Sequence, residues 1–338
     1  MENSSELFSL ARELIEIESI TGNELKMAEY LKSYLEPKGW IVHLQDVEDG
    51  RKNVFAHRKG NPKPKLIVNS HIDTVPPYIP FSEDEKYIYG RGACDTKALI
   101  AAQLMSVNSL VENGIDQIGL LYVVGEEVDH CGIIKANELN LNPEFLVVAE
   151  PTELQLASRQ KGMYRFRLKA KGKAAHSGYP EAGESAIHKL IPVLKEIIDT
   201  TWPSSKDVGV TTVNIGTVQG GFAGNVLAAD CEAEVVFRVA DELELVEKKV
   251  EEIVSNSADI EVLVKSPPVS LGVHAGMKST VVSFHTDIPH FKFEGQAFLV
   301  GAGSILDAHT AHEKVDKDEL VEMVSVYDKL ISDLLGAS

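Results

Sequence analysis

Leu66-Ile67-Val68-Asn69-Ser70-His71-Ile72-Asp73 begins as an apolar run and ends on an imidazole and a carboxylate. The pattern recurs twice: Gly119-Leu120-Leu121-Tyr122-Val123-Val124 leads into Glu126-Glu127, and Phe145-Leu146-Val147-Val148 leads into Glu150. Short runs that are apolar on both faces fit central strands of a covered α/β sheet better than half-exposed hairpins. Between the first two runs, Thr96 to Glu112 places Ala, Leu, Ile and Met at helical spacing, so the segment reads as a βαβ unit with a crossover helix. Open α/β sheets bind ligands at the carboxyl ends of their strands. Three separate segments therefore deliver acids and a histidine to one edge.

Working outward, Glu6 to Ile17 and Glu24 to Leu35 read as amphipathic helices, the second opened by Thr21 and Glu24 in a capping-box pattern. From Tyr164 to Lys171 apolar and charged residues alternate, as in a strand with one wet face. A helix over Gly183 to Asp199, strands Val210 to Val218 and Ala233 to Val239, a helix from Asp241 to Ser255 and a strand Ile260 to Val264 follow. This β-α-β-β-α-β order predicts a small antiparallel sheet with helices, inserted into the larger domain. The pattern after Pro267-Pro268 returns to apolar strand and a closing helix, Asp316 to Leu335. The expected division is a catalytic domain over 1–163 and 269–338, interrupted by a lid over 164–268.

With 44% hydrophobic and 25% charged residues among 338, the chain has the composition of a globular protein. No apolar run approaches the roughly 18 to 20 residues that cross a bilayer, and Met1-Glu2-Asn3-Ser4-Ser5-Glu6 lacks the basic and apolar blocks of a secretion signal. The expectation is a cytoplasmic protein with no membrane partner. Cys94, Cys131 and Cys231 lie far apart, suggesting neither a disulfide framework nor a zinc ribbon. A formal charge of −18, with no basic stripe, disfavours nucleic acid.

Taken singly, each candidate has a plain reading. His71-Ile72-Asp73 can be a polar strand end, Glu126-Glu127 a solvated turn, Glu150 a cap before Pro151, and Gly90-Arg91-Gly92-Ala93-Cys94-Asp95 a tight structural loop. Together with Asp307-Ala308-His309-Thr310-Ala311-His312-Glu313 they supply imidazoles and carboxylates in number.

In order and surroundings these segments resemble the zinc-dependent family of aminoacylases, acetylornithine deacetylases, succinyl-diaminopimelate desuccinylases and carboxypeptidase G-like enzymes. The likeness runs from Asn69–Pro76 through Gly90-Arg91-Gly92, Gly125-Glu126-Glu127, Ala149-Glu150-Pro151-Thr152 and Ala175-His176-Ser177-Gly178 to His309. It implies a mixed-sheet catalytic domain with a dinuclear zinc site, and a ferredoxin-like α+β lid through which two chains pair. By the same resemblance His71 and Glu150 hold one metal, Glu127 and His309 the other, and Asp95 bridges them. Zinc is expected, with cobalt able to substitute; three carboxylates against two divalent cations leave a net positive centre that favours ionisation of a water.

Asp73 is suited to accept the other ring N–H of His71, and Glu126 to act as general base. The resemblance gives His176 to the oxyanion, usually in a partner subunit's site. It gives Asn225 and Arg238 to the substrate, the arginine to a carboxylate, with Gly303 in the same pocket. Ala98 stands where relatives commonly have glycine, His312 is an alternative ligand to His309, and Cys94 reads as a small buried residue. Glu150-Pro151-Thr152, Gly178-Tyr179-Pro180 and Gly183-Glu184-Ser185-Ala186 look most like the acetylornithine or acetyl-lysine deacetylase branch, in arginine or lysine synthesis. A desuccinylase, dipeptidase or carboxypeptidase with the same chemistry is the alternative. A binding module that keeps the fold without the metals is opposed by the intact set of acids and histidines.

Overall fold

Buried along its whole length, the strand Leu66–His71 lies inside a six-stranded sheet of the computed structural model, which describes residues 2–336. Met1 of the leader reading and the last two positions of the expected third segment lie outside the described residues. The strands are β1 (Ile41–Asp46), β2 (Lys52–His57), β3 (Leu66–His71), β4 (Ile118–Val123) and β5 (Phe145–Val148), followed by Gln296–Leu299. Their order is β1-β2-β4-β3-β5 and then Gln296–Leu299. β4, β3, β5 and Gln296–Leu299 run parallel, while β2 meets β4 antiparallel. The covered α/β sheet expected from the apolar runs is therefore present, and it is mixed, as the resemblance implies.

The β1–β2 hairpin was not read from the sequence. β1 is a half-exposed edge strand, so it carries no continuous apolar run.

Around the sheet lie α1 (Glu2–Glu16), α2 (Leu25–Leu35), α3 (Lys97–Glu112) and the helix Lys317–Leu335. α3 packs against α1 and against Lys317–Leu335, and its Ala98, Leu99, Ile100, Ala101 and Ala102 are fully buried. Small side chains let neighbouring helices approach without opening cavities. Asp316 caps the last helix, accepting N–H bonds from Asp318 and Glu319. Among the described residues, no helix is long and apolar enough to cross a membrane.

The contacts divide the chain into two units. The first runs up to Ser158 and includes Leu271–Thr280 and the chain from Thr286 on; the second comprises Arg159–Ser270 and Val281–His285. The second unit carries β6 (Gly162–Lys171), α4 (Ala186–Asp199), β7 (Thr212–Gly220), β8 (Asp230–Val239), α5 (Leu243–Val254) and β9 (Asp259–Ser266). Its antiparallel sheet has the order β7-β8-β6-β9, the ferredoxin-like arrangement. Alternation sorts its faces: Tyr164, Phe166 and Leu168 join Val235, Phe237, Leu190 and Val250 in one core. Arg165, Arg167 and Lys169 pair with Glu234 and Glu261 on the other face.

The expected capping box is not formed. Glu24 occupies the N-cap of α2 without a side-chain cap bond. Its buried carboxylate instead takes both Nε and Nη2 of Arg51, at 3.0 and 2.6 Å, and the Gly22 N–H. Thr21 turns its hydroxyl to Asp73. A bidentate ion pair outcompetes a local cap once a buried guanidinium is within reach. Glu24→Ala, which leaves the buried Arg51 with Glu48, at 3.4 Å, as its carboxylate partner, is therefore expected to cost about 3 kcal/mol in urea unfolding, and Glu24→Leu with Arg51→Met to cost less than Glu24→Ala alone.

Candidate active site

The adjacent parallel strands β4, β3, β5 and Gln296–Leu299 bring their carboxyl ends to one edge. β3 ends on His71, β4 runs into Gly125-Glu126-Glu127, β5 into Glu150, and Gln296–Leu299 into the loop that holds Gly303. Asp95 arrives from the loop before α3, and His309 from the loop before Lys317–Leu335. His71 Nε2 lies 3.0 Å from Asp95 Oδ1 and 3.7 Å from Glu150 Oε1. His309 Nε2 lies 3.3 Å from Asp95 Oδ2 and 3.0 Å from Glu127 Oε2. Ligand-type atoms of His71, Asp95 and Glu150 fall within 4.8 Å of one another, as do those of Asp95, Glu127 and His309.

The support around these groups is dense. Asp73 is buried and accepts the Glu126 N–H at 3.1 Å, the Glu127 N–H at 3.3 Å and the Thr21 hydroxyl at 2.8 Å. The shortest contact of His71 Nδ1 is to the main-chain carbonyl of Asp73, at 2.9 Å; the carboxylate expected to meet it stands at 3.5 Å. That carbonyl accepts Nδ1–H and aims Nε2 at Asp95 and Glu150. Across the site, Glu313 Oε1 takes the backbone N–H groups of Gly92, Cys94 and Asp95, while Oε2 meets Arg91 Nη1 at 2.6 Å. One buried carboxylate thus ties the loop of Asp95 to the loop of His309. Gly92 has φ +91, and a Cβ there would meet the Lys97 side chain at 2.7 Å, so this turn requires glycine.

Charge is crowded here. Burial, then Asp95, pushes Glu150 well above the usual carboxylate range, and the same two causes raise Glu127. Burial also lifts Glu126 well above that range; His71 opposes the shift, and Glu150, Asp287 and Glu127 add to it. For His71, burial works against the imidazolium, but bonds to Asp73 and Asp95 outweigh it and raise the group. Asp95 and Glu127 lift His309 to about 10. Such a cluster attracts positive charge strongly.

The remaining sequence candidates divide between the units. Gly303, at φ +81, donates its N–H to Glu319 and leaves 2.9 Å between a notional Cβ and that of Cys94. His309, and not His312, stands in the carboxylate cluster; His312 is exposed. Cys94 is buried, and burial with Glu313 pushes its thiol well up. In the second unit His176 and Asn225 are brought together: the Ser177 N–H donates to the Asn225 carbonyl at 2.9 Å, and His176 bridges to Val226. Both are exposed. Arg238 lies on β8, on the face opposite Phe237. Sequence reasoning gave Thr21 only a helix-capping role and Arg91 only a place in the Gly90-Arg91-Gly92 stretch, and it missed His130 and Asp287. Glu313 was visible only as the last residue of the His309-Thr310-x-x-Glu pattern.

Residues 158–261 match the peptidase dimerisation domain. A peptidase M20 domain-containing protein of Schizosaccharomyces pombe is 41% identical over 335 residues, covering 96% of this chain and 84% of that one. A protein named "Probable carboxypeptidase" in Paracoccidioides brasiliensis is 36% identical, covering 97% of this chain and 85% of its own. The fold matches a crystal structure of a tripeptidase from Staphylococcus aureus, with a TM-score of 0.81, 23% identity and coverage of 98% and 99% of the two chains. Four parallel strand ends, six acids and imidazoles gathered at them, and near-full-length likeness to these relatives converge: the chain belongs to the M20 peptidase family, whose members hydrolyse amide bonds.

Proposed function

We propose that the chain cleaves the amide bond of a short peptide or small N-acylated amino acid, with two divalent metal ions held by His71 and Glu150, by Glu127 and His309, and by Asp95 between them. The carrying observation is Asp95, whose two carboxylate oxygens each face a different imidazole. Imidazole and carboxylate donors suit zinc, and cobalt would be accepted by the same set. When bound, such ions supply Lewis acidity that polarises the scissile carbonyl and acidifies a water.

The chain's own groups then have distinct tasks. Glu126, ionised at the start, takes a proton from the attacking water and returns it to the leaving nitrogen; its burial raises its affinity for that proton. Asp73 holds the Glu126–Glu127 turn by its two backbone N–H groups. His176 donates to the oxyanion, Asn225 and Arg238 contact the substrate, and Gly303 keeps the pocket wall thin. Two chains pair through the second unit. The family match over 158–261 supports this, as do the exposed apolar residues Ile191 and Ile198 on α4 and Val218 on β7.

The carboxypeptidase name of a 36%-identical relative favours peptides with a free carboxyl end. Deacetylation of N-acetylornithine or N-acetyl-lysine is the narrower reading, supported by the Glu150-Pro151-Thr152 and Gly178-Tyr179-Pro180 stretches. Dipeptides, carboxypeptidase substrates, acetylornithine, acetyl-lysine and succinyl-diaminopimelate, assayed side by side, rank these readings by kcat/KM.

Chelation is expected to abolish turnover, and zinc or cobalt to restore it; full activity in metal-free protein, verified by elemental analysis, would overturn the proposal. Glu126→Gln is expected to keep both metals and to lose about 10²–10⁴-fold in kcat. Mixed dimers of His176→Ala and Glu126→Ala chains are expected to regain activity that neither parent shows, because one intact site is rebuilt across the pair. A proven mixed dimer without rescue would place His176 outside the partner's site.

A further inference from the structure

Gly125 accepts the N–H groups of Val128, Asp129 and His130 at 3.4, 3.1 and 2.8 Å, which winds the turn carrying Glu126 and Glu127 tightly. The turn closes on His130 with φ +59, a left-handed backbone that histidine takes more readily than most residues with a Cβ. Its imidazole is buried, Nδ1 stands 2.8 Å from Asp287 Oδ1, and the ring stacks on His290 with centroids 4.3 Å apart. Asp287 is itself buried, in a segment 157 residues along the chain from His130. Its carbonyl accepts the His290 N–H at 3.0 Å and so closes the short helix Ile288–His290. Ligand-type atoms of Glu126, His130 and Asp287 lie within 4.8 Å of one another.

We infer that His130, anchored by Asp287, is a positioning residue for the Glu126 carboxylate; this rests on the general-base reading of Glu126. A turn that merely connected β4 to the next segment would gain nothing from a desolvated imidazole–carboxylate pair. The pair has a purpose if the turn must hold one side chain in place. Asp73 grips the main chain of Glu126 and Glu127, which leaves the Glu126 side chain free to rotate. The His130–Asp287 pair packs beside that side chain and restricts it. A base displaced by about 1 Å costs on the order of 10²-fold in rate, whereas ground-state binding of substrate does not depend on it.

His130→Ala is expected to lower kcat by about 10- to 10²-fold, with KM and metal content unchanged, and Asp287→Ala to do the same. His130→Asn, which tolerates left-handed backbone and keeps an amide donor for Asp287, is expected to recover most of the loss. In a Glu126→Gln background, His130→Ala is expected to add little, because the group it positions is already gone. Unchanged kcat, loss of metal in step with activity, or equal losses in both backgrounds would each overturn the inference. Crystal structures of the metal-free proteins report the Glu126 side chain without turnover. A changed or multiple Glu126 rotamer in His130→Ala, restored to the wild-type one in His130→Asn, is expected; one and the same rotamer in all three proteins would overturn the positioning role even if the wild type proved to hydrolyse nothing offered.

Discussion

Like charges packed at one edge of a sheet are the constraint on which the rest of this structure turns. Asp95, Glu127 and Glu150 meet within a few ångströms, with Glu126 alongside. At an effective dielectric constant of 20, two such charges about 4 Å apart repel by about 4 kcal/mol. Without compensation the strand ends would be driven apart. The protein alone answers with protons: the glutamates shift up and the two imidazoles hold theirs. Two divalent cations would answer the same demand with a charge that does not need to be bound and lost with each change of pH, and imidazole and carboxylate donors are suited to receive them.

Holding such a cluster requires a frame that does not yield. β3 and β4 are buried from end to end, and a slip of one residue would exchange His71 for Ile72 and turn every apolar side chain to the wrong face. The loops are held in other ways. Glu313 gathers three backbone N–H groups and an arginine, so Asp95 and His309 cannot drift independently. Asp73 performs the same task for the Glu126–Glu127 turn, and is itself fixed by Thr21 from the chain's beginning. The loop of Asp95 and the Glu126–Glu127 turn are thereby each backed by a second carboxylate.

What the sequence made legible follows the same division. β3, β4 and β5 were readable because burial on both faces leaves an uninterrupted apolar run, and the β-α-β-β-α-β insertion because β6 alternates over eight residues, Tyr164 to Lys171. His71, Glu126, Glu127 and Glu150 were readable because they follow those runs directly, whereas Asp95 and His309 sit in loops and were legible through the family resemblance. β1 was hidden by its wet face and β2 by the polar Lys52, Asn53 and His57 that flank its short apolar stretch, and the Thr21–Glu24 pattern misled because a local rule gave way to Arg51, 27 residues from Glu24. Glu313, His130 and Asp287 act through partners distant in sequence, and no spacing rule reaches across such separations.

Bond cleavage and recognition also sit on different kinds of backbone. Of the metal-binding candidates, His71, Glu127 and Glu150 follow buried strands directly, and replacing the buried His71 or Glu150 would leave unpaired charge in the cluster. His176, proposed for the oxyanion, and Asn225, proposed for the substrate, stand on exposed loops of the second unit, while Arg238 is half-buried on the side of β8 away from Phe237 and Val239. Neither His176 nor Asn225 belongs to the apolar core of that unit, so a change at either leaves the core intact. On the proposed reading, the groups for amide hydrolysis are then tied to the fold, while contacts to the acyl group or peptide can vary without threatening it.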